Sequence, residues 1–394
     1  MEKLTQSKVS RHVESSVAGH STLTKQIPDL SRTSPTGNTF GTSRGNFSRD
    51  SQFLPSLEAF RALAILCVVA GHVIGSTGWV IDTLMERIAA NLLLGGTNLF
   101  VFISGYLFHH IFHNGYSFKA FFVQKSQRVL LPYLFLSTLP ILMAMRKSGS
   151  LVVPHNAQDV VSTMVSYASH LLKGDVWICY WYIPFVMGMF ALAPMHRWFG
   201  RQSVRVQLPI LVLLFALATL IERPVNNIGV VQLWVYFTPV YLAGIAASVH
   251  RTAVMTFLSK YHWLFLVGAL TLSVVQAKFS PTLGSYHKNW NTLGSIDLQL
   301  IQKMLWCGWF LYALQWFDRR PNKVIELLAA SSFAVFFIHP YVLDLWMRTA
   351  VVHAWLRGVP EVILAILCVH AGSIIVATGI RKVARKRSRI LIGW

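Results

Sequence analysis

Beyond about residue 52, long apolar runs alternate with short polar connections, and ten of the runs reach the roughly 17–25 residues that a helix needs to cross a bilayer. They begin near Leu57, Ile88, Val129, Cys179, Val206, Gly229, Tyr261, Asp297, Glu326 and Pro360. This pattern predicts an all-α fold, a polytopic integral membrane helix bundle of about ten transmembrane helices. A weaker, amphipathic stretch from Ala157 to Leu172, with Asp159 and His170, is expected at the membrane surface, an eleventh crossing being the alternative. Residues 1–52 are Ser/Thr-rich, nearly devoid of large apolar side chains, and carry seven Lys or Arg against four acids, so a disordered cytoplasmic tail is expected there. No apolar signal-peptide core lies near Met1, and the first run is expected to serve as an uncleaved signal anchor. The membrane domain is expected over residues 53–380, followed by a basic tail over 381–394.

Composition supports this division. The 394 residues are 54% hydrophobic and only 13% charged, against about 25% charged in soluble domains, which argues against a soluble globular enzyme. The net charge of +20 does not point to nucleic acid, because the basic residues stand between apolar runs, where they set topology. Counted over alternate connections, one set holds 17 Lys and Arg and the other 9. The richer set is assigned to the cytoplasm, which places both termini inside. The tail "RKVARKRSR" suits either a topology anchor, the favoured reading, or a contact with anionic lipid. The four cysteines fall in four different apolar runs without metal-like spacing and are read as packing residues.

The chemistry concentrates in the first run, "SLEAFRALAILCVVAGHVIG", with Glu58 and Arg61 near its cytoplasmic entrance and His72 well inside. Eleven residues separate Arg61 from His72, about three turns plus 20° and about 16 Å of depth, so both side chains face one way. A guanidinium at the inner boundary suits phosphates arriving from the cytoplasm, and an imidazole near mid-membrane can act as base or nucleophile. Glu58, one turn before Arg61, is expected to hold the guanidinium in place. The plainer reading is that Arg61 snorkels to lipid phosphate and His72 bonds a neighbouring helix.

"LEAFRALAILCVVAGHV" resembles the first helix of the membrane acyltransferase family 3, whose signature is an acidic residue, then Arg, ten residues and His. Further segments resemble that family in order: "NLFVFISGYLF" with Ser104, Gly105 and Tyr106, "KAFFVQKSQRVLLPYL" with Arg128 and Pro132, "WYIPFVM" from Trp181, and "FAVFFIHPYV" with His339. The likeness spans roughly Leu57 to Gly379. Glu58 stands where the family usually has Asp, and Gln124 and Ser126 thin out a stretch often richer in arginine.

The resemblance implies a membrane acyltransferase that moves an acyl group, acetyl first among the candidates, from its coenzyme A thioester to a hydroxyl of a cell-surface or exported polysaccharide. It also implies a bacterial inner (cytoplasmic) membrane location. Catalysis is assigned to His72 with Arg61 and Glu58, His72 serving as general base or as transient acyl carrier. Binding of the donor, acetyl-CoA, is assigned to Arg61, Lys125 and Arg128, with Ser104, Trp181 and His339 as possible cavity residues. The bilayer, acyl-CoA and a glycan acceptor are the expected partners, and no metal is expected.

Other residues have plainer alternatives. Lys125 and Arg128 also fit simple topology anchors. Ser104 with Gly105 fits a close helix contact, and the aromatics from Trp177 to Tyr182 fit an interfacial belt. His339 beside Pro340 can simply satisfy a freed carbonyl. His109 and His113 share a helix face without a carboxylate nearby. Asp344 can orient a histidine or pair with Arg348. A transporter or flippase for a lipid-linked sugar or small metabolite is the alternative to an enzyme; a structural or sensory membrane protein leaves the Arg61–His72 face without a reason.

Overall fold

The computed structural model describes residues 54–113, 115–151, 156–285, 287–290, 296–349 and 358–394; the expected tail 1–52 lies outside them. Among these residues there is helix and no extended strand, only an isolated bridge between Arg223 and His287. Seven helical stretches are long and apolar enough to span a membrane, and an eighth forms if a pair of short helices bent by 70° counts as one. The two remaining apolar runs of the sequence fold as the shorter helices Tyr182–Ala191 and Leu298–Ala313.

In chain order, α1 is Pro55–Ser76, with proline in its first turn, where a missing N–H is harmless. Next come α2 (Leu84–Leu93) and α3 (Gly96–Phe112). A capping box of Thr83 and Glu86 starts α2. α2 and α3 are two pieces of one long span. Its break is closed by Lys303, whose ammonium donates to the carbonyls of Asn91 and Leu92, and by Gln299, which donates to those of Asn91 and Leu94. A buried lysine thus caps the negative end of α2. Gly96 then lets α3 pass against the α1 backbone, since a Cβ there would stand 2.5 Å from the carbonyl carbon of Cys67.

α4 (Phe118–Lys125) joins α5 (Leu131–Ser148) through a π-helical turn, Ser126–Leu130. α6 (Ala157–Lys173) buries none of its residues and is not among the helices apolar enough to span; its Val161, Met164, Val165 and Leu172 are exposed, and Leu171 and Tyr167 tie it to Tyr133 and Thr138 of α5. α7 (Tyr182–Ala191), α8 (Ala193–Gly200), α9 (Val204–Ile221), α10 (Val230–Val249) and α11 (Arg251–Phe279) follow. α9 and α11 present broad apolar outer faces, with Leu208, Val212, Leu213 and Val267 all more than half exposed. Such faces fit lipid and would be a liability in water. The chain closes with α12 (Leu298–Ala313), α13 (Trp316–Arg319), α14 (Lys323–Ala330), α15 (Ser332–Met347), α16 (Val359–Ala384) and α17 (Ser388–Ile392).

α10 packs on α3 through two glycines: a Cβ on Gly105 would lie 2.0 Å from the Tyr241 carbonyl oxygen, and one on Gly244 2.1 Å from that of Phe102. Backbones this close are the membrane form of small-residue packing. The last fourteen residues do not hang free. They continue α16, turn, and fold α17 back so that Ile392 packs with Ala334, Ile338 and Ala377 while the Arg381 guanidinium sits 4.5 Å above the Trp394 ring.

Candidate active site

His72 lies on α1, one side against α15 and the other in a cavity lined by Val68, Thr97, Phe100, Cys179, Trp181, Tyr182 and Phe336. Its Nδ1 is 2.8 Å from Nε2 of His339, and the two rings are nearly coplanar at 6°. His339 Nδ1 in turn lies 2.9 Å from the Val335 carbonyl. A carbonyl only accepts, so His339 Nδ1 carries the hydrogen and its Nε2 carries the lone pair. His72 Nδ1–H therefore donates to His339, which leaves His72 Nε2 as the basic nitrogen. The relay Val335–His339–His72 sets the tautomer of the innermost imidazole without any carboxylate.

α15 carries Pro340, whose missing N–H orphans the Phe336 carbonyl. The Cys179 thiol takes that carbonyl at 3.7 Å, and the Tyr180 hydroxyl takes that of Phe337 at 3.1 Å. His339 also hydrogen-bonds the Phe336 backbone, so the carbonyl that Pro340 frees is shared between this ring and the Cys179 thiol. The run expected from near Glu326 does not form one straight helix; it is bent by 70° between Ala330 and Ser332.

Arg61 faces the same broken span. One guanidinium nitrogen donates to the Ala329 carbonyl, at the C-terminal end of α14, while Nε is buried without a partner. The expected Glu58 clamp is corrected here: among the described residues the two make no ion pair within 4.0 Å, although the Glu58 charge acts on the guanidinium. The carbonyls ending α14, Ala329 among them, already offer the partial negative charge that the carboxylate was to supply.

Lys125 stands 5.0 Å above the Phe190 ring and 5.6 Å above that of Phe121, and the charges of Arg61 and Arg128 both reach it. Arg128 is exposed on the π-helical turn, where the charge of Arg389 from α17 acts on it. Such turns recur at functional sites because they re-aim side chains by a fraction of a turn. Ser104 stands behind the cavity wall: its hydroxyl bonds back to the Phe100 carbonyl at 2.7 Å, one turn before, and its side chain hydrogen-bonds Tyr182, which lines the cavity. Trp181 is only 5% exposed and walls the cavity, so the belt reading of these aromatics fails for it: the stretch that carries it turns inward ahead of α7. His109 bonds Ser248 and stacks with His113, and Asp344 pairs with Arg348 at 2.9 Å on the exposed side of α15.

Sequence reasoning missed Thr97, Phe100, Tyr182 and Phe336 as cavity walls; only the order of the family-like segments pointed to that neighbourhood. It also missed Arg223, a loop arginine read as a topological charge.

A helical membrane bundle with an arginine, a histidine relay and a cavity beside it defines a class of intramembrane enzyme-like sites. Residues 54–380 match the acyltransferase domain of the acyltransferase 3 family, and the chain belongs to that family. It is thus a membrane acyltransferase. No curated protein and no solved structure matches the chain.

Proposed function

We propose that the protein is an integral-membrane O-acetyltransferase that takes an acetyl group from acetyl-CoA and transfers it to a hydroxyl of a cell-surface or exported glycan. One observation carries the reading: Arg61 and the His72–His339 relay are held by the same broken span, α14–α15, so that a cation and a base of fixed tautomer are set along one element. Arg61, Lys125 and Arg128 suit the phosphates of coenzyme A, which arrives from the cytoplasm in the orientation that the positive-inside count favours. His72 Nε2 removes the acceptor hydroxyl proton as that oxygen attacks the thioester carbonyl. The thiolate leaves and recovers the proton from the imidazolium, and the ester and free coenzyme A depart. His339 positions His72 and shares the charge on the ring.

The reading is tested by purifying the protein in lipid nanodiscs and following thiol release from acetyl-CoA with and without glycan acceptor, with ester formation checked by mass spectrometry and alkali lability. Acceptor-dependent thiol release supports it. Movement of a glycan without thiol release would favour the transporter alternative.

Two variants probe the roles. Arg61→Ala is expected to weaken coenzyme A binding at least tenfold, with Arg61→Lys recovering only part of it because the two-pronged donor geometry is lost; unchanged affinity in both removes Arg61 from the donor site. His339→Gln is expected to lower kcat by about 10–100-fold, the range typical of partners that orient an imidazole, while leaving coenzyme A affinity unchanged. A fall in affinity without a fall in kcat contradicts that positioning role.

A further inference from the structure

The loop from Glu222 to Gly229, between α9 and α10, carries a guanidinium that the reaction above does not use. Arg223 is 8% exposed, and its guanidinium carbon lies 5.2 Å above the Trp181 ring and 5.4 Å above that of Phe237. Trp181 is a wall of the His72 cavity, and the Arg223 charge reaches the His72 ring. One arm of the guanidinium donates to Asn227 Oδ1 at 2.6 Å, and Nε is buried with no hydrogen-bond partner. Among the described residues no carboxylate lies within 4.0 Å of it.

The acids nearby are occupied. Asp297 accepts from the Tyr236 hydroxyl at 2.8 Å and caps α12 through the backbone N–H groups of Gln299 and Leu300. Glu222 lies 3.7 Å from the Lys288 ammonium. His287 lies on the exposed rim of this loop, and the packing around its ring together with the Arg223 charge pushes its pKa down to about 4, so it adds no charge at neutral pH. The Asp297 charge acts on Arg223 from beyond 4.0 Å, but a buried cation with no counter-ion in contact is costly to keep, and stacking on two rings only partly offsets the lost hydration.

The backbone around Arg223 is fixed in advance. Its carbonyl accepts from Lys288 N at 2.9 Å, and Gln232 Nε2 donates to the carbonyls of Glu222 and Lys288 at 3.3 and 3.1 Å. His287 Nδ1 donates to the Pro224 carbonyl at 2.9 Å. Glu222, Asn226 and Asn227 adopt φ of 60°, 53° and 57°; asparagine takes this region readily, whereas a glutamate keeps it only where its surroundings impose it.

We infer that Arg223 is an anion-binding subsite for the acceptor, which holds a carboxylate or phosphate of the acceptor substrate against Trp181 on the side of the histidine relay away from Arg61. The inference rests on the acyltransferase reading and narrows its acceptor to an acidic one. The Nε–H edge of the guanidinium matches a flat or tetrahedral oxyanion. The indole, stacked on Phe237, is the wall shared by this guanidinium and the His72 cavity.

The test uses the full chain in nanodiscs and isothermal titration with four probes: methyl β-D-glucuronide, inorganic phosphate, the neutral methyl β-D-glucoside, and coenzyme A. Wild type is expected to bind one of the two anions at least tenfold more tightly than the glucoside, and the preferred anion tells a uronic-acid acceptor from a phosphorylated one. Arg223→Met is expected to lose that preference while binding coenzyme A within twofold of wild type, which also shows that the variant is folded. Should Arg223→Met not fold, Arg223→Lys is expected to keep the preference in weakened form. Arg61→Ala is expected to do the reverse, losing coenzyme A and keeping the anion. Equal anion binding by wild type and Arg223→Met, or a wild-type preference for the glucoside, overturns the inference. In turnover, Arg223→Met is expected to raise the acceptor KM with kcat preserved; a loss of kcat at unchanged KM would place the guanidinium on the reacting carbonyl and also overturn it. Anion binding without coenzyme A binding in wild type would leave the subsite standing and defeat the donor reading.

Discussion

His72→Ala is expected to lower acyl transfer by 10²–10⁴-fold, the usual range for a removed general base, and to leave coenzyme A binding within about twofold of wild type. The separation follows from the layout. Arg61 is held by Ala329 and lies eleven residues before His72, whereas His72 makes its only described side-chain bond to His339. Removing the imidazole takes away the Nε2 lone pair and strips His339 Nε2 of its donor, but touches nothing around Arg61. Initial rates of thiol release at saturating donor, read beside a coenzyme A titration, measure both halves. A variant within threefold of wild-type rate would remove the histidine from the chemistry.

Gly105→Val is expected to destabilise the bundle by about 3 kcal/mol or more, the upper end of what overpacking costs, and to abolish activity through the fold. The clash is with backbone rather than with a flexible side chain: even the first added carbon would stand 2.0 Å from the Tyr241 carbonyl oxygen. α3 and α10 would have to separate, and with them Phe100 of the cavity wall and Phe237 beneath Arg223. Thermal denaturation in detergent, followed by loss of the monodisperse species, reads the effect; melting at the wild-type temperature would show that the α3–α10 contact is dispensable. Gly244→Ala tests the reciprocal contact and is expected to destabilise in the same direction.

The shared face of Arg61 and His72 was legible because helical geometry alone fixes it: eleven residues bring a side chain back to nearly the same azimuth. What each residue meets was not legible. Glu58 at one-turn spacing looked like the natural partner for Arg61, yet the partner is a backbone carbonyl 268 positions away. The bend in the span that carries His339 left no signature either, because Ser331 and Ser332 at the break are neither proline nor glycine. Trp181 illustrates a third limit. Aromatics at the start of an apolar run commonly mark the membrane interface, and only tertiary packing distinguishes such a ring from one turned into a cavity. Arg223 failed for the related reason that a loop arginine counts toward topology whether it is solvated or buried. The prior likeness to the acyltransferase family located the right segments, and packing decided which of their side chains meet.

The bent span has a metric consequence. Ala329 fixes Arg61 and His339 fixes His72, ten residues apart on α14–α15, while on α1 the same two residues are separated by about 16 Å of continuous helix. The two elements brace each other like rungs of a ladder, so the interval between cation and imidazole is a gauge of set length. If the donor binds as proposed, one whose arm matches that interval would deliver its carbonyl to the imidazole unbent; a shorter arm would stop before it, and a longer one would have to buckle within the cavity walled by Phe100, Trp181 and Phe336.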